Sequence, residues 1–263
     1  MARAIYGGLL DNGFSATNLS VVDPSAAAQD NARRAGIEHI FDSAPGEALL
    51  ADLIVLAIKP QITKAALQPL AGQLGTHSLV LSIVAGINAE SLAALLGLSD
   101  TGHIIRCMPN TPALVGEGMT GLFASREAGS AEGKALAERV MSSVGQCVWV
   151  ENESDLDVVT AISGSGPAYF FLFIESLTEA AIALGMNGES ARKLALQTAL
   201  GASRLASLSS EDAATLRKNV TSPGGTTEQA IQAFEAADIR GIVAQATQAA
   251  ARRSLELSKE FGA

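Results

Sequence analysis

Leu53-Ile54-Val55-Leu56-Ala57-Ile58-Lys59-Pro60 is an unbroken apolar run that stops at a cation and a proline. A continuous apolar run of this length suits a strand covered on both faces, which is the environment of a parallel sheet. The segments around it alternate in the same way. Upstream, residues 19–22 read as a strand and 25–35 as a helix. Downstream, 63–74 reads as a helix, 79–84 as a strand, 89–96 as a helix and 104–107 as a short strand. Two further strands, near 120–123 and 147–150, flank a helix at 132–143. A βαβα order of this kind implies an α/β domain built on a doubly wound parallel sheet.

The period changes after Glu151. From there to Ala263 the pattern predicts helices only, at 155–162, 167–184, 189–208, 211–220, 226–236 and 239–261. Pro167 sits where a first-turn proline belongs and Gly185 where a C-terminal cap belongs. The expected organisation is a dinucleotide-binding domain over 1–150 and an all-helical domain over 151–263.

Bulk properties exclude several classes. The 263 residues carry a formal net charge of −9, which argues against a nucleic-acid partner that needs a basic face. The two cysteines, Cys107 and Cys147, match no metal-ligand spacing and no disulfide framework, so no metal is expected and a cytoplasmic setting is. The most apolar stretch, 167–184, is interrupted by Glu175 and Glu179. Both are costly in a bilayer, so a buried helix of a soluble protein is expected, and no membrane partner.

Candidate site residues cluster where the expected strands end. Lys59 and Pro60 follow the opening strand, at the edge of a parallel sheet where ligands sit. Asp23 ends an earlier strand. It reads equally as an acidic group for a ribose hydroxyl or as an ordinary turn and cap in Asp23-Pro24-Ser25. Arg106-Cys107-Met108-Pro109-Asn110-Thr111-Pro112 places a polar pair between two prolines. In the helical half, Thr221-Ser222-Pro223-Gly224-Gly225-Thr226-Thr227 joins a glycine turn to a helix start, with Thr226 and Gln229 spaced as a capping box. Such a helix end can hold a carboxylate, or serve only as a junction. Ser163-Gly164-Ser165-Gly166-Pro167 lacks the Gly-x-Ser-x-Gly pattern of a hydrolase nucleophile. His39, His77 and His103 have no triad context.

Four segments in register resemble one family. AIKP at 57–60, RCMPNTP at 106–112, AISGSGPAYFFLFIE at 161–175 and NVTSPGGTTEQAI at 219–231 are similar to pyrroline-5-carboxylate reductase, across essentially the whole chain. The resemblance implies a Rossmann-like domain followed by a helical dimerisation domain. It implies hydride transfer from NADPH or NADH to the C=N carbon of 1-pyrroline-5-carboxylate, giving L-proline, by a homodimer or larger homo-oligomer. It further implies that Ser222 and the amides of Gly225, Thr226 and Thr227 hold the substrate carboxylate, with the Thr227 hydroxyl near the ring nitrogen. Ala57, Ile58, Lys59 and Pro60 would line the phosphate and ribose of the cofactor. Val84, Ala85 and Gly86 would pass beside the nicotinamide, with Asn110 and Thr111 nearby. Asn219 would reach the cofactor from the helical half, and Glu153 and Thr160 match positions near the substrate.

The family opens with an apolar strand and a Gly-x-Gly-x-Met-Ala turn, and Met1-Ala2 coincides with the end of that motif. The residues 1–10 read as a helix instead, and Gly7-Gly8 is no phosphate-binding turn. A start assigned at an internal methionine, or a truncated chain, is the expectation. Weak binding of NAD(P)H follows from it, and a nanomolar-to-micromolar affinity would refute it. Two rivals remain: an inactive oligomerising paralogue, and a hydroxy-acid dehydrogenase. The second normally carries a catalytic lysine in the linking helix, and 155–173 contains no lysine.

Overall fold

The computed structural model describes residues 1–125 and 129–261, which divide into two compact units. The first unit comprises Met1–Ser165 and the chain from Ala250 onward; the second is Gly166–Ala249.

The first unit opens with helix α1 (Ala2–Asp11), as the spacing predicts, and buries Ala4, Ile5 and Leu9. Gly8 is a packing residue: a Cβ there would meet the Ser143 carbonyl oxygen and Val144 Cγ1, each at 2.5 Å. Strand β1 (Ser20–Val22), helix α2 (Ala26–Arg34) and strand β2 (His39–Phe41) follow, and β1 and β2 pair in parallel. Next come β3 (Leu53–Leu56), α3 (Pro60–Leu67), β4 (Leu79–Ser82), α4 (Ala89–Leu96) and β5 (Ile104–Met108). Strand β6 (Gly118–Ala124), helix α5 (Ala131–Ser142) and strand β7 (Gly145–Trp149) complete a second sheet in the order β3-β4-β5-β6-β7.

The expected wholly parallel sheet is therefore modified in two ways. β1–β2 forms its own two-stranded sheet, and β6 runs antiparallel to β5. The second change has a direct cause. Only residues 109–117 link β5 to β6, too short for the crossover a parallel pair requires. The doubly wound character survives in the alternation of side chains. Leu79, Leu81, Ile105 and Cys107 enter one core cluster with α1 and α5, while Val80 and Ile104 enter another with α3 and α4.

Helix α6 (Asp155–Val159) packs on β5 and β6. It runs into a π-helical turn, Thr160–Gly164, where the Ser165 N–H donates to the Thr160 carbonyl at 2.8 Å. The compact units thus part between Ser165 and Gly166. α6 is helical but belongs to the sheet's core. Ser254, near the chain's end, donates its hydroxyl to Asp157 Oδ1 at 2.6 Å.

Gly121 on β6 makes room for α6. A Cβ there would lie 2.6 and 2.7 Å from the two Val159 methyls. Gly121→Val is expected to lower stability by about 1–3 kcal/mol through overpacking, read as a fall in Cm with m unchanged. Burial pushes the Cys107 thiol well up, and burial also raises Cys147. Neither thiolate is populated near neutrality, so both should alkylate more slowly than free cysteine, Cys107 only after denaturation.

The second unit contains α7 (Gly166–Ala183), α8 (Gly188–Leu208), α9 (Ala213–Asn219), α10 (Thr226–Ala236) and the first turns of α11 (Ile239–Phe261). α7 and α8 pack together, with Ala191 and Ala195 buried. Those are the only buried apolar side chains after Gly166 among the described residues. α7 was expected to be buried. Within one chain it is not: Phe170, Phe171 and Leu172 are 64%, 64% and 63% exposed.

Candidate functional site

Strands β3, β4 and β5 run parallel, so the segments that follow them leave the same edge of the sheet. Those segments carry Ala57, Ile58, Lys59 and Pro60; then Val84, Ala85 and Gly86; then Asn110 and Thr111. This edge is where open α/β sheets take ligands. Lys59 is exposed at the N-cap of α3, and Pro60 occupies the first helical position, where its missing N–H costs nothing. A lysine beside a helix N-terminus provides positive potential for a phosphate. Asp23 ends β1, and its Oδ1 accepts the Ser25 N–H at 2.8 Å. This is a turn hydrogen bond, while Ser25, the N-cap of α2, makes no side-chain cap bond.

The segment between β4 and α4 is held at several points. The Val84 side chain is 1% exposed. Gly86 has φ +75°, and a Cβ there would approach the Leu257 backbone to 3.3 Å. Asn88 caps α4 by accepting the Ser91 N–H at 2.7 Å. At the first turn of α4, Ala89 N–H donates to Glu153 Oε1 at 2.7 Å, and the same oxygen receives Arg106 Nη1 at 2.9 Å.

Asn110 is buried, and its amide is fully engaged. Oδ1 accepts the Met119 N–H at 2.9 Å, and Nδ2 donates to the Ser163 carbonyl at 3.0 Å. It therefore fastens the start of β6 to the π-helical turn. Thr111 beside it is exposed. Thr160 donates its hydroxyl to the Leu156 carbonyl at 2.7 Å. Gly164 in the same turn admits Met108, whose Cε would lie 2.7 Å from an added Cβ. π-helical turns of this kind are frequent at functional sites.

The second unit carries the glycine-rich loop. Ser222 C=O accepts the Gly225 N–H at 3.0 Å across Pro223 and Gly224, and Gly224 has φ +71°. Proline followed by a left-handed glycine is the requirement of a type II turn. The cap differs from the expected box. Gly225 is the N-cap and Thr226 the first helical residue; Glu228 Oε2, not Gln229, reaches back to the Gly224 N–H at 2.8 Å. The Gly225 amide thus donates within the turn. The orphan amides at the start of α10 are those of Thr226, Thr227 and Glu228. Ser222, Thr226 and Thr227 are exposed. Asn219 donates Nδ2 to Glu211 Oε2 at 3.0 Å.

Sequence reasoning missed Glu228 as the residue that stiffens this loop and Arg106 as the partner of Glu153. The Glu228 spacing was legible, because the true cap, Gly225, lies three residues before it. Arg106 and Glu153 are 47 residues apart, and no local pattern connects them.

Residues 153–257 match the family model for the pyrroline-5-carboxylate reductase dimerisation domain. A pyrroline-5-carboxylate reductase of Pseudomonas aeruginosa is 44% identical, covering 100% of this chain and 95% of that protein. The reductase of Haemophilus influenzae is 40% identical, over 99% of this chain and 95% of its own. Among solved structures, a pyrroline-5-carboxylate reductase from Coxiella burnetii superposes with a TM-score of 0.90 at 39% identity, covering 97% of this chain and 94% of that one. The Plasmodium falciparum enzyme with NADP bound gives 0.82 at 30% identity, covering 97% and 93%.

Proposed function

The chain belongs to the pyrroline-5-carboxylate reductase family, and from that membership we propose how its residues divide the work of the reaction. The reaction is the NAD(P)H-dependent reduction of 1-pyrroline-5-carboxylate to L-proline, the last step of proline biosynthesis. When bound, NAD(P)H supplies the hydride.

The residues at the sheet edge fit a dinucleotide. Lys59 is an exposed cation beside a helix N-terminus. Ala57, Ile58, Lys59 and Pro60 hold the phosphate and ribose portion. Val84, Ala85 and Gly86 flank the nicotinamide, with Asn110 and Thr111 beside them. Asp23 favours NADH by its acidity, while the NADP-bound relative favours NADPH; both serve as cofactor in this reading.

The observation that carries the substrate half is the start of α10. The Ser222 hydroxyl and the amides of Thr226 and Thr227, joined by that of Glu228, receive the carboxylate of the ring. Gly225 holds the turn that aims them. The Thr227 hydroxyl accepts the N–H of the protonated imine and fixes the ring's orientation. No strong acid or base is required. The protonated nitrogen already makes the adjacent carbon electrophilic, and the protein contributes proximity and orientation.

Paired variants test the division. Ser222→Ala is expected to raise KM for 1-pyrroline-5-carboxylate by about tenfold with little change for NAD(P)H, and Lys59→Ala to do the reverse. A Ser222→Ala enzyme with unaltered substrate KM would sink the assignment. The protein is a homo-oligomer, and a dimer is the smallest assembly that covers α7. Two free thiols suit the cytoplasm.

A further inference from the structure

We propose that Glu153 is a positioning residue for the cofactor half of the site. Through one oxygen it locks residues 83–88 to strand β5, in place of any contact with substrate. The proposal rests on reading Val84, Ala85 and Gly86 as the segment beside the nicotinamide.

The geometry carries the argument. Glu153 Oε1 lies 2.7 Å from the Ala89 amide and 2.9 Å from Arg106 Nη1. Ala89 is the first residue of α4, so its N–H is one of the helix's orphan donors and sits at the positive end of its dipole. A carboxylate there satisfies the amide and complements the dipole together. Arg106 projects from β5, and its side chain is only 12% exposed. Leaving that guanidinium without its counter-charge would be costly. The carboxylate therefore joins the end of one segment of the sheet edge to the strand that feeds the next.

Val84 is in the core, and Gly86 lies against the backbone of Leu257. The Ile83 N–H donates to the Leu56 carbonyl at 3.1 Å, the Val84 N–H to Ser82 Oγ at 3.3 Å, and Asn88 accepts the Ser91 N–H at 2.7 Å. None of these bonds reaches β5, so tying the segment to that strand takes a polar contact at its far end. Glu153 supplies that contact, and its stem is placed by the loop leading into α6. Both donors converge on Oε1, so this oxygen carries the positioning role.

The test is amide hydrogen exchange on the full-length protein, with steady-state kinetics alongside. In Glu153→Ala, exchange across residues 84–92 is expected to rise by about tenfold or more, the effect of losing one charge-assisted hydrogen bond. KM for NAD(P)H should rise by about fivefold or more while KM for 1-pyrroline-5-carboxylate stays within about twofold. Glu153→Gln, which keeps an acceptor for the Ala89 N–H, should restore most of the protection. Arg106→Gln should loosen the same segment. Unchanged exchange at 84–92 in Glu153→Ala overturns the proposal. So does weaker L-proline binding by Glu153→Gln with the segment still protected, because that marks a substrate contact. Should Glu153→Ala open the whole first unit, Glu153→Gln decides between these outcomes. Exchange and proline titration need no turnover. A wild-type chain that fails to reduce 1-pyrroline-5-carboxylate therefore counts against the reaction and not against this role.

Discussion

Thr227→Val is expected to lower kcat/KM for 1-pyrroline-5-carboxylate by about a hundredfold, with KM for NAD(P)H nearly unchanged, if the Thr227 hydroxyl holds the ring nitrogen as proposed. The size follows from the loss of a hydrogen bond to a charged group, worth about 1.5–3 kcal/mol, at an atom held next to the reacting carbon. Valine copies the shape and β-branching of threonine, so the first turn of α10 keeps its propensity and packing. The Thr227 side chain is exposed and has no hydrogen-bond partner among the described residues, so removing its hydroxyl should leave the fold intact. Thr227→Ser retains the hydroxyl and should recover most of the rate. Steady-state kinetics on the three proteins check this. Equal kcat/KM for Val and wild type would show that the ring nitrogen is oriented elsewhere.

Leu172→Asp is expected to convert the oligomer to monomer at micromolar concentration, with a large fall in thermal stability. The second unit has no core of its own beyond Ala191 and Ala195. Phe170, Phe171, Leu172 and Phe173 occupy consecutive positions of α7, so apolar side chains surround the helix in that stretch. A helix apolar on all sides requires burial. Each of these side chains gains about 1.5–3 kcal/mol on full burial. A carboxylate at the centre of such a surface forfeits that gain and cannot be desolvated without a partner. Light scattering and a thermal melt measure both effects. A Leu172→Asp protein, and a Phe171→Asp protein beside it, that keep the wild-type mass would refute a second copy on this face.

The same helix shows how far sequence carries. Composition demands that residues 167–184 be covered, yet within one chain the helix is exposed. Nothing in a single sequence states whether the cover comes from the same chain or from another. α10 gives a second case. Its bounds, Thr226–Ala236, are read correctly from periodicity, yet the cap shifts by one residue to Gly225. That shift decides which amides bond within the turn and which are left without an intrahelical partner. Strand β2 escaped notice because three residues, His39–Phe41, are too few to show a period. The π-helical turn escaped because it differs from an α-helix by one residue of slack, absorbed where Gly164 lets Met108 in.

The sequence by itself determined the alternating first half, the helical second half and the family. These are legible because periodicity, capping and turn chemistry are local, and because four motifs stand in register. Tertiary structure alone decided the division of the sheet, the unit boundary at Ser165, and the fate of each polar group at the sheet edge. Glu153 meets Ala89 across 64 residues, and Asn110 meets Ser163 across 53. A buried polar group must find a partner wherever the fold brings one, and that search is not confined to neighbours in the chain.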